Sequence, residues 1–333
     1  MNTIEKAKRL YGLVGFETKP IAEHEGGRNR VFVCSKDGEK KYVLRISELN
    51  DRSLEDYLAE TEYIRFLAEN GASVADVISS PSGALVERIG DTYVCLFEYA
   101  KGMLMFDNGY RYREGAPLEE YFYNVGMTIG RIHKLSKGYE PSHKRMSYFD
   151  KYNMEYIDQL IPDTYGELKK AIAIRIEEFR KLPVNDDVFG MVHFDYCDGN
   201  YHVDMSSGDI TVFDFDNCIF CWYMFDLAHT WTHGIGWCQF EPDPKKRVAF
   251  MEHYFDTVLE GYRSETDVSE DELNKLQLFI DMTLIESIVD EFECASREGE
   301  EVDEEDIGHD AFCLIHDVPL LGIGEIKCRS RIT

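Results

Sequence analysis

The stretch that decides the fold is HFDYCDGN at 193–200, followed after a short gap by ITVFDFD at 210–216. The gap, 203–209, contains the run Ser-Ser-Gly-Asp, whose residue types favour turns. The second segment is rich in β-branched and aromatic residues, which is typical of a strand. The two segments therefore return to the same place in the fold.

The acidic and amide side chains in these segments have the types that phosphoryl transfer requires. We expect Asp195, Asn200 and Asp214 to project into one pocket. One carboxylate can orient an attacking hydroxyl, while an amide oxygen and a second carboxylate hold Mg²⁺ against the phosphates of ATP. The pattern predicts an ATP- and Mg²⁺-dependent phosphotransferase.

The same residues resemble the catalytic loop and metal-binding motif of the aminoglycoside phosphotransferase and choline kinase-like superfamily. The members of that superfamily share the protein-kinase fold. The resemblance implies that Asp195 is the catalytic aspartate, that Asn200 binds metal and that Asp214 bridges Mg²⁺. It also matches Asp226 to the family's second aspartate, which supports the catalytic loop through hydrogen bonds. We expect His193 to brace the same loop.

Two residues depart from the family's pattern. Phe194 stands where the family usually has Gly, and Cys197 stands where a second His is common. Neither exchange removes a group that the chemistry needs. The bulk of Phe194 is expected to change how the loop packs.

The distribution of patterns along the chain predicts an α+β protein with a two-lobed protein-kinase-like fold. The first hundred residues alternate strand-like and helix-like patterns, whereas long helical patterns dominate the rest. We expect a nucleotide-binding lobe over 1–100, with an antiparallel sheet and one main helix. A mostly helical lobe over 101–333 would carry the catalytic and acceptor-binding groups, and the hinge would lie at about 96–102.

Local patterns predict the main elements of the smaller lobe. The runs RVFVC at 30–34 and KYVLRI at 41–46 flank an Asp-Gly pair, which is a hairpin signal. An apolar stripe at helical spacing predicts a helix over 53–69. A further strand is expected at 92–99. In the larger lobe, a helix over 121–136 carries two glycines that would allow close packing.

Glycines before the first predicted hairpin suggest where the nucleotide phosphates bind. Gly26 and Gly27 precede a strand, so that their backbone can approach phosphate closely, and Asn29 follows them. By resemblance, the backbone around Glu98 and Tyr99 recognises adenine, with Val43 contacting the base.

An ion pair is predicted between the second hairpin strand and the helix. Alternation along the strand points Arg45 away from the apolar face, at the position where the family carries a phosphate-binding Lys or Arg. Helical projection places Glu60 on the flank of the apolar stripe, where a carboxylate needs a cation. We therefore expect Arg45 and Glu60 to pair.

The amino-acid composition limits the classes of partner that the protein can bind. With 36 Lys and Arg against 63 Asp and Glu, the formal net charge is -27, which repels nucleic acid and anionic membranes. The most apolar stretch is interrupted by aspartates, so no membrane span is expected. Nine scattered cysteines fit reduced thiols in the cytoplasm, and Cys218 and Cys221 are expected to be buried thiols rather than half of a zinc site.

The sequence leaves the identity of the phosphoryl acceptor open. Aminoglycosides, amino alcohols, amino acids and sugars all carry a suitable hydroxyl, and the acidic balance favours a cationic acceptor. A protein serine/threonine kinase and a non-catalytic nucleotide-binding protein of the same fold are the alternatives. The choice of ATP or GTP and the oligomeric state are also left open.

Overall fold

A computed structural model describes residues 2–21, 29–49 and 51–320 of the chain. These residues form two compact units. Unit 1 comprises the described residues within Met1–Arg113, Glu140–Arg145 and Gly199–Asp216, and unit 2 comprises those within Glu114–Tyr139, Met146–Asp198 and Asn217–Thr333. Gly26 and Gly27, which the sequence places at the phosphates, lie outside the described residues.

The strands are numbered in chain order: β1 (Glu17–Pro20), β2 (Asn29–Lys36), β3 (Glu39–Glu48), β4 (Val77–Ile78), β5 (Glu87–Ile89), β6 (Thr92–Glu98), β7 (Phe189–Val192), β8 (Tyr201–Val203), β9 (Ile210–Val212) and β10 (Ile219–Trp222). The α-helices are α1 (Thr3–Leu10), α2 (Leu54–Glu69), α3 (Leu118–Ser136), α4 (Tyr148–Lys151), α5 (Met154–Leu160), α6 (Gly166–Phe179), α7 (Tyr223–Gly234), α8 (Pro244–Arg263), α9 (Glu270–Leu273), α10 (Leu276–Glu298) and α11 (Glu304–His316).

Unit 1 is built around an antiparallel sheet with strand order β1-β2-β3-β6-β4, and β5 also pairs with β6. The predicted hairpin is confirmed as β2 and β3. Its turn residues, Asp37 and Gly38, both have positive φ, at 55° and 83°, which suits the twist of a two-residue hairpin. Helix α2 is capped by Ser53, whose side chain and that of Asp56 form a capping box.

The alternation predicted along β3 is confirmed. Leu44 and Ile46 are buried in one cluster with Ala7 and Leu96, and Tyr42 packs against that cluster. Arg45 lies on the opposite face. The strand therefore separates an apolar core from a face that can carry charge.

The β8–β9 hairpin belongs to unit 1 although it follows the hinge in sequence. Val203 pairs with Met103 through two main-chain hydrogen bonds of 2.8 and 3.1 Å. Gly102 (φ +98°) lies so close that a Cβ there would stand 2.3 Å from the carbonyl oxygen of Val203. Only glycine fits this approach. The boundary at residue 100 between two functional lobes stays a prediction.

Unit 2 is mainly helical and includes the two-stranded β7–β10 sheet. Its helices α3 and α8 pack closely because the predicted small residues lie between them. A Cβ at Gly126 would stand 1.8 Å from the carbonyl oxygen of Val258, and a Cβ at Gly130 would stand 2.8 Å from that of Tyr262. The close packing expected from these glycines is confirmed.

Two further expectations concern cysteines and membranes. Cys218 and Cys221 are both fully buried, as predicted. In the described part of the chain, no three His, Cys, Asp or Glu side chains are grouped as a metal site. None of the described helices combines the length and apolarity needed to cross a membrane.

Candidate functional site

The β8–β9 hairpin in unit 1 brings two of the predicted site residues to one end. Its strands pair in the register Tyr201↔Val212, and the amide of Phe213 donates to the carbonyl oxygen of Asn200 at 2.9 Å. Asn200 directly precedes β8, and Asp214 lies two residues after the end of β9. An amide oxygen and a carboxylate at one hairpin end form a suitable pair of donors for a hard divalent cation.

The backbone at Asp214 adopts a conformation that is uncommon for a residue with a side chain. Its φ is +62°, and the residue is exposed. A left-handed conformation costs a non-glycine residue about 1–2 kcal/mol. Such residues concentrate at functional sites, so the observation supports a role for Asp214 in ligand binding.

Two arginines hold the segment that follows Asp214. Arg52 and Arg145 each donate a hydrogen bond to the main-chain carbonyl oxygen of Asp216. Arg145 is buried and also donates to the carbonyl oxygen of Asp56 at 3.0 Å, at the start of α2. The segment that carries Asp214 is therefore tied to the helix that carries Glu60.

Asn29 reaches the same segment from β2. Its side-chain amide donates to the Asp216 carboxylate at 3.3 Å, and its oxygen accepts from the hydroxyl of Ser47. Asn29 was expected to contact the nucleotide. The structure assigns its side chain a bond to Asp216, and a nucleotide contact stays a prediction.

The predicted ion pair between Arg45 and Glu60 is confirmed. Two parallel hydrogen bonds of 2.7 Å join the guanidinium of Arg45 to the two carboxylate oxygens of Glu60. The side chains are only 5% and 1% exposed. Burial alone would lower the pKa of Arg45, but the Glu60 carboxylate holds that pKa above its ordinary value.

One nitrogen of the Arg45 guanidinium takes no part in this pair. Its Nε is buried and has no hydrogen-bond partner among the described residues. The guanidinium lies over the rings of Tyr57 and Phe97, at 5.6 and 5.1 Å from their centroids. A buried donor without an acceptor is costly, so a ligand oxygen at this position would be stabilising.

At the hinge, main-chain amides of the expected adenine-binding residues are used within unit 1. The amide of Glu98 donates to the carbonyl oxygen of Asp76 at 2.8 Å, and that of Tyr99 donates to Lys41 at 2.9 Å. Val43 is half-buried on β3. Contacts of Val43, Glu98 and Tyr99 with a base therefore stay predictions, and these two amides could not donate to a base without losing their present bonds.

In unit 2, the loop that carries Asp195 is held by the buried carboxylate of Asp226. The Asp226 oxygens accept from the amides of His193 and Phe194, both at 2.9 Å. The amide of Asp195 lies 3.3 Å from Nδ1 of His193, within hydrogen-bond distance. The carboxylate thus fixes the two residues that precede Asp195.

A buried histidine completes the environment of Asp226. His133 Nε2 lies 3.0 Å from Asp226 Oδ2, and its Nδ1 lies 3.0 Å from the hydroxyl of Tyr262. Burial would raise the pKa of Asp226, but hydrogen bonding to His133 and the nearby His193 keep it below its ordinary value. Asp226 therefore stays ionised and remains an acceptor for the loop amides.

Phe194, which stands where the family usually has Gly, has a clear structural consequence. Phe194 has φ of +71°, a conformation that suits glycine. Its ring is buried and stacks on Phe225, with centroids 4.1 Å apart and an angle of 6° between the planes. It also contacts Tyr152, at 5.8 Å between centroids. Aromatic packing therefore offsets the backbone strain.

This balance predicts an unusual order of stabilities at position 194. We expect Phe194→Ala to lower the free energy of unfolding by about 3–5 kcal/mol, because it removes a buried ring. Phe194→Gly should cost about 1 kcal/mol less than Phe194→Ala, because glycine relieves the strained φ. Urea denaturation of the two variants measures the difference, and an alanine variant as stable as the glycine variant would contradict the strain argument.

The thiol at the second departure contacts the side chain of Asp195. Sγ of Cys197 lies 3.7 Å from Oδ1 of Asp195, and the thiol can donate a weak hydrogen bond to it. Cys197 and Asp195 are both partly exposed. The thiol thus takes a polar role at the position where a histidine is common.

The predicted residues fall in both units. Asn29, Arg45, Glu60, Asn200 and Asp214 belong to unit 1, whereas His193, Asp195 and Asp226 belong to unit 2. Sequence reasoning missed Arg52, Arg145 and Asp216, because arginines that bind main-chain carbonyls leave no motif. The convergence of Asp195 with Asn200 and Asp214 stays a prediction.

The described parts are those of a kinase-like phosphotransferase. They are a sheet with a buried arginine–glutamate pair, a hairpin with oxygen donors and a helical unit with an aspartate-bearing loop. A sequence model of the Phosphotransferase enzyme family matches residues 19–265, and the chain belongs to that family. The predicted family resemblance is thereby confirmed.

Individual relatives agree with this assignment. The amicoumacin kinase of Bacillus subtilis (strain 168) is 28% identical over 273 residues, which cover 80% of this chain and 76% of that protein. A solved amicoumacin kinase in complex with AMP-PNP, Ca²⁺ and Ami has a TM-score of 0.81 at 23% identity, covering 98% of this chain and 95% of that one. A microcompartment-associated aminopropanol kinase has a TM-score of 0.67 at 17% identity, covering 93% of each chain.

These findings confirm the fold class and the enzyme class. The chain has the α+β, two-lobed protein-kinase-like fold that the sequence predicted. It is an ATP-dependent phosphotransferase that acts on a hydroxyl of a small molecule.

Proposed function

We propose that this enzyme transfers the γ-phosphoryl group of ATP, with Mg²⁺, to a hydroxyl of a cationic small molecule. The observation that carries the proposal is the β8–β9 hairpin, because the residues Asn200 and Asp214 flank its two strands at one end. These oxygen donors are the ligand types that Mg²⁺ prefers. We propose that Asp195 orients the acceptor hydroxyl.

The residues of unit 1 suit a nucleoside triphosphate. Arg45 is held in place by Glu60 and keeps its Nε as an unpaired buried donor, which fits a phosphate oxygen. Asn200 and Asp214 would hold the metal ion, which when bound neutralises charge on the phosphates. The bonds of Arg52 and Arg145 to Asp216 keep the segment after Asp214 in position.

The residues of unit 2 suit the orientation of a hydroxyl. Asp226 fixes the amides of His193 and Phe194, so Asp195 is presented by a rigid loop. A carboxylate in hydrogen-bond reach of a hydroxyl can align it and accept its proton as the phosphoryl group transfers. Most of the rate enhancement would come from positioning and from charge neutralisation.

For the acceptor, we propose a small molecule with an ammonium group near the reacting hydroxyl. Relatives named for amicoumacin and aminopropanol support this class, and so does the net charge of -27. Amicoumacin is the first candidate. A location in the cytoplasm stays a prediction from the cysteine pattern.

A direct screen tests this function. Purified enzyme with labelled ATP and Mg²⁺ should phosphorylate at least one member of a panel of amicoumacin, spectinomycin, kanamycin, 1-amino-2-propanol, choline, ethanolamine, homoserine and neutral sugars. We expect the amine-bearing members to react and the neutral sugars not to react. Chelation of the metal should abolish transfer, because phosphoryl transfer needs the bound cation. Label in cytosolic proteins but in no small molecule would instead support a protein kinase.

A further inference from the structure

A short segment after α3, residues 140–145, belongs to unit 1, although the chain on both sides of it belongs to unit 2. It contacts α2 at two positions. Nδ1 of His143 lies 2.9 Å from Oε1 of Glu62, and the guanidinium of Arg145 donates to the carbonyl oxygen of Asp56 at 3.0 Å. These two residues of α2 are about 9 Å apart along the helix axis. The segment therefore lies along α2.

Arg145 also contacts the chain after Asp214. Its guanidinium donates a second hydrogen bond, to the carbonyl oxygen of Asp216, and its side chain is only 1% exposed. Different nitrogens make the two bonds, so both bonds can exist at the same time. The guanidinium is planar, and its donors have a fixed fork geometry. Arg145 therefore fixes the distance between the first turn of α2 and the residues after Asp214.

The two segments joined in this way carry different parts of the proposed nucleotide site. Asp56 lies one turn before Glu60 on α2, and Glu60 holds Arg45 through two hydrogen bonds of 2.7 Å. Asp216 lies two residues after Asp214, whose φ is +62°. A residue with a side chain keeps such a conformation only where its surroundings hold it. The joined segments thus present the proposed phosphate donor and the proposed metal ligand.

Other contacts between the same segments do not depend on Arg145. The ring of Phe215 is buried and lies edge-on to the ring of Tyr63 on α2, with centroids 5.9 Å apart. Arg52 donates a further hydrogen bond to the carbonyl oxygen of Asp216. We therefore expect a substitution of Arg145 to leave the loop packed on α2 and to loosen its position.

We propose that Arg145 is a positioning residue that couples metal binding at Asp214 to phosphate binding at Arg45. The inference rests on the proposed function, because that function assigns Mg²⁺ to Asn200 and Asp214 and a phosphate to Arg45. One nucleotide can contact both groups without rearrangement only if they are held at the right separation. Without Arg145 the two segments must be ordered when the nucleotide binds, which lowers its affinity. Mg²⁺ should then strengthen nucleotide binding less than in the wild type.

An effect of charge alone would have the opposite signature. The cation of Arg145 attracts the free nucleotide more strongly than the Mg²⁺ complex, because the complex carries less negative charge. Loss of that attraction would weaken metal-free binding most. Loss of positioning weakens the Mg²⁺ complex most, since only the complex uses Asp214. The ratio of the two affinities separates the explanations.

Calorimetric titration with AMP-PNP, in Mg²⁺ and in EDTA, tests the coupling without requiring turnover. In Arg145→Met, the strengthening of AMP-PNP binding by Mg²⁺ should fall about 5- to 20-fold, while the metal-free affinity changes less than about threefold. Arg145→Lys should change the ratio in the same direction, because an ammonium group lacks the fork that reaches both carbonyl oxygens. The lysine variant keeps the buried charge, so it provides the test should Arg145→Met not fold.

Arg65→Met is the matched control. Arg65 also lies on α2 and also donates to a main-chain carbonyl oxygen, that of Val77, and to Asp76 at 3.0 Å. These bonds connect α2 to β4 and not to the chain after Asp214. The change should therefore leave the effect of Mg²⁺ on AMP-PNP binding as it is in the wild type.

A double variant shows whether Arg145 acts through Asp214. In the Asp214→Ala background, Arg145→Met should reduce the effect of Mg²⁺ no further. An unchanged Mg²⁺ effect in Arg145→Met, a loss confined to metal-free binding, an equal loss in Arg65→Met, or additive losses in the double variant would each overturn the inference alone. No strengthening of binding by Mg²⁺ in the wild type would instead count against the proposed metal site, and the inference would fall with it.

Discussion

Asp195→Asn should lower turnover by about 10²–10⁴ while ATP binding stays nearly unchanged. The amide keeps the size of the side chain but cannot accept the proton of the acceptor hydroxyl. The loop itself should keep its conformation, because Asp226 holds the amides of His193 and Phe194, and neither bond involves the Asp195 side chain. Steady-state kinetics with the best acceptor of the panel and nucleotide titration measure the two effects separately.

Cys197→Ser is the control for that measurement. The serine hydroxyl can still donate to Asp195, so turnover should change far less than in Asp195→Asn. Unchanged turnover in Asp195→Asn would refute the assignment of the catalytic aspartate. A large loss of ATP affinity would show that Asp195 acts on the nucleotide instead.

Glu60→Gln should lower the free energy of unfolding by about 3–5 kcal/mol, because it leaves the buried charge of Arg45 without a partner. The two side chains are joined by bonds of 2.7 Å and are almost fully buried. The same change should weaken nucleotide binding, since Arg45 would lose its fixed orientation. Urea denaturation gives the first quantity, and titration with ATP gives the second.

An exposed pair in the same sheet provides the comparison. Arg30 and Glu48 are 3.5 Å apart, and their side chains are 47% and 57% exposed. Glu48→Gln should therefore change stability by no more than about 1 kcal/mol. If the two variants lose similar amounts of stability, the burial argument for Arg45 and Glu60 is wrong.

Much of the fold could be predicted because local signals agree with tertiary structure. The Asp-Gly turn marks the β2–β3 hairpin, and alternation along β3 gave the opposite faces of Leu44 and Arg45. The projection of α2 identified Glu60 among several glutamates, because only that one flanks the apolar stripe. These patterns depend on neighbours within one or two elements.

Other features of the site could not be predicted, because they depend on main-chain groups far away in sequence. Arg145 binds carbonyl oxygens 71 and 89 positions away, and a carbonyl is present at every residue. The sequence indicates that Arg145 is charged but not that it is buried. Likewise, the membership of 199–216 in unit 1 follows from main-chain bonds of Val203 to Met103, which no side-chain pattern encodes.

The stacking of Phe194 on Phe225 also has an evolutionary consequence. A single change to glycine at 194 would leave a void beside Phe225 and Tyr152, while a single loss of Phe225 would leave the strained backbone uncompensated. Neither change is neutral by itself, so the three positions are expected to covary. We therefore expect a loop with glycine at this position to carry compensating changes at the positions of Phe225 and Tyr152.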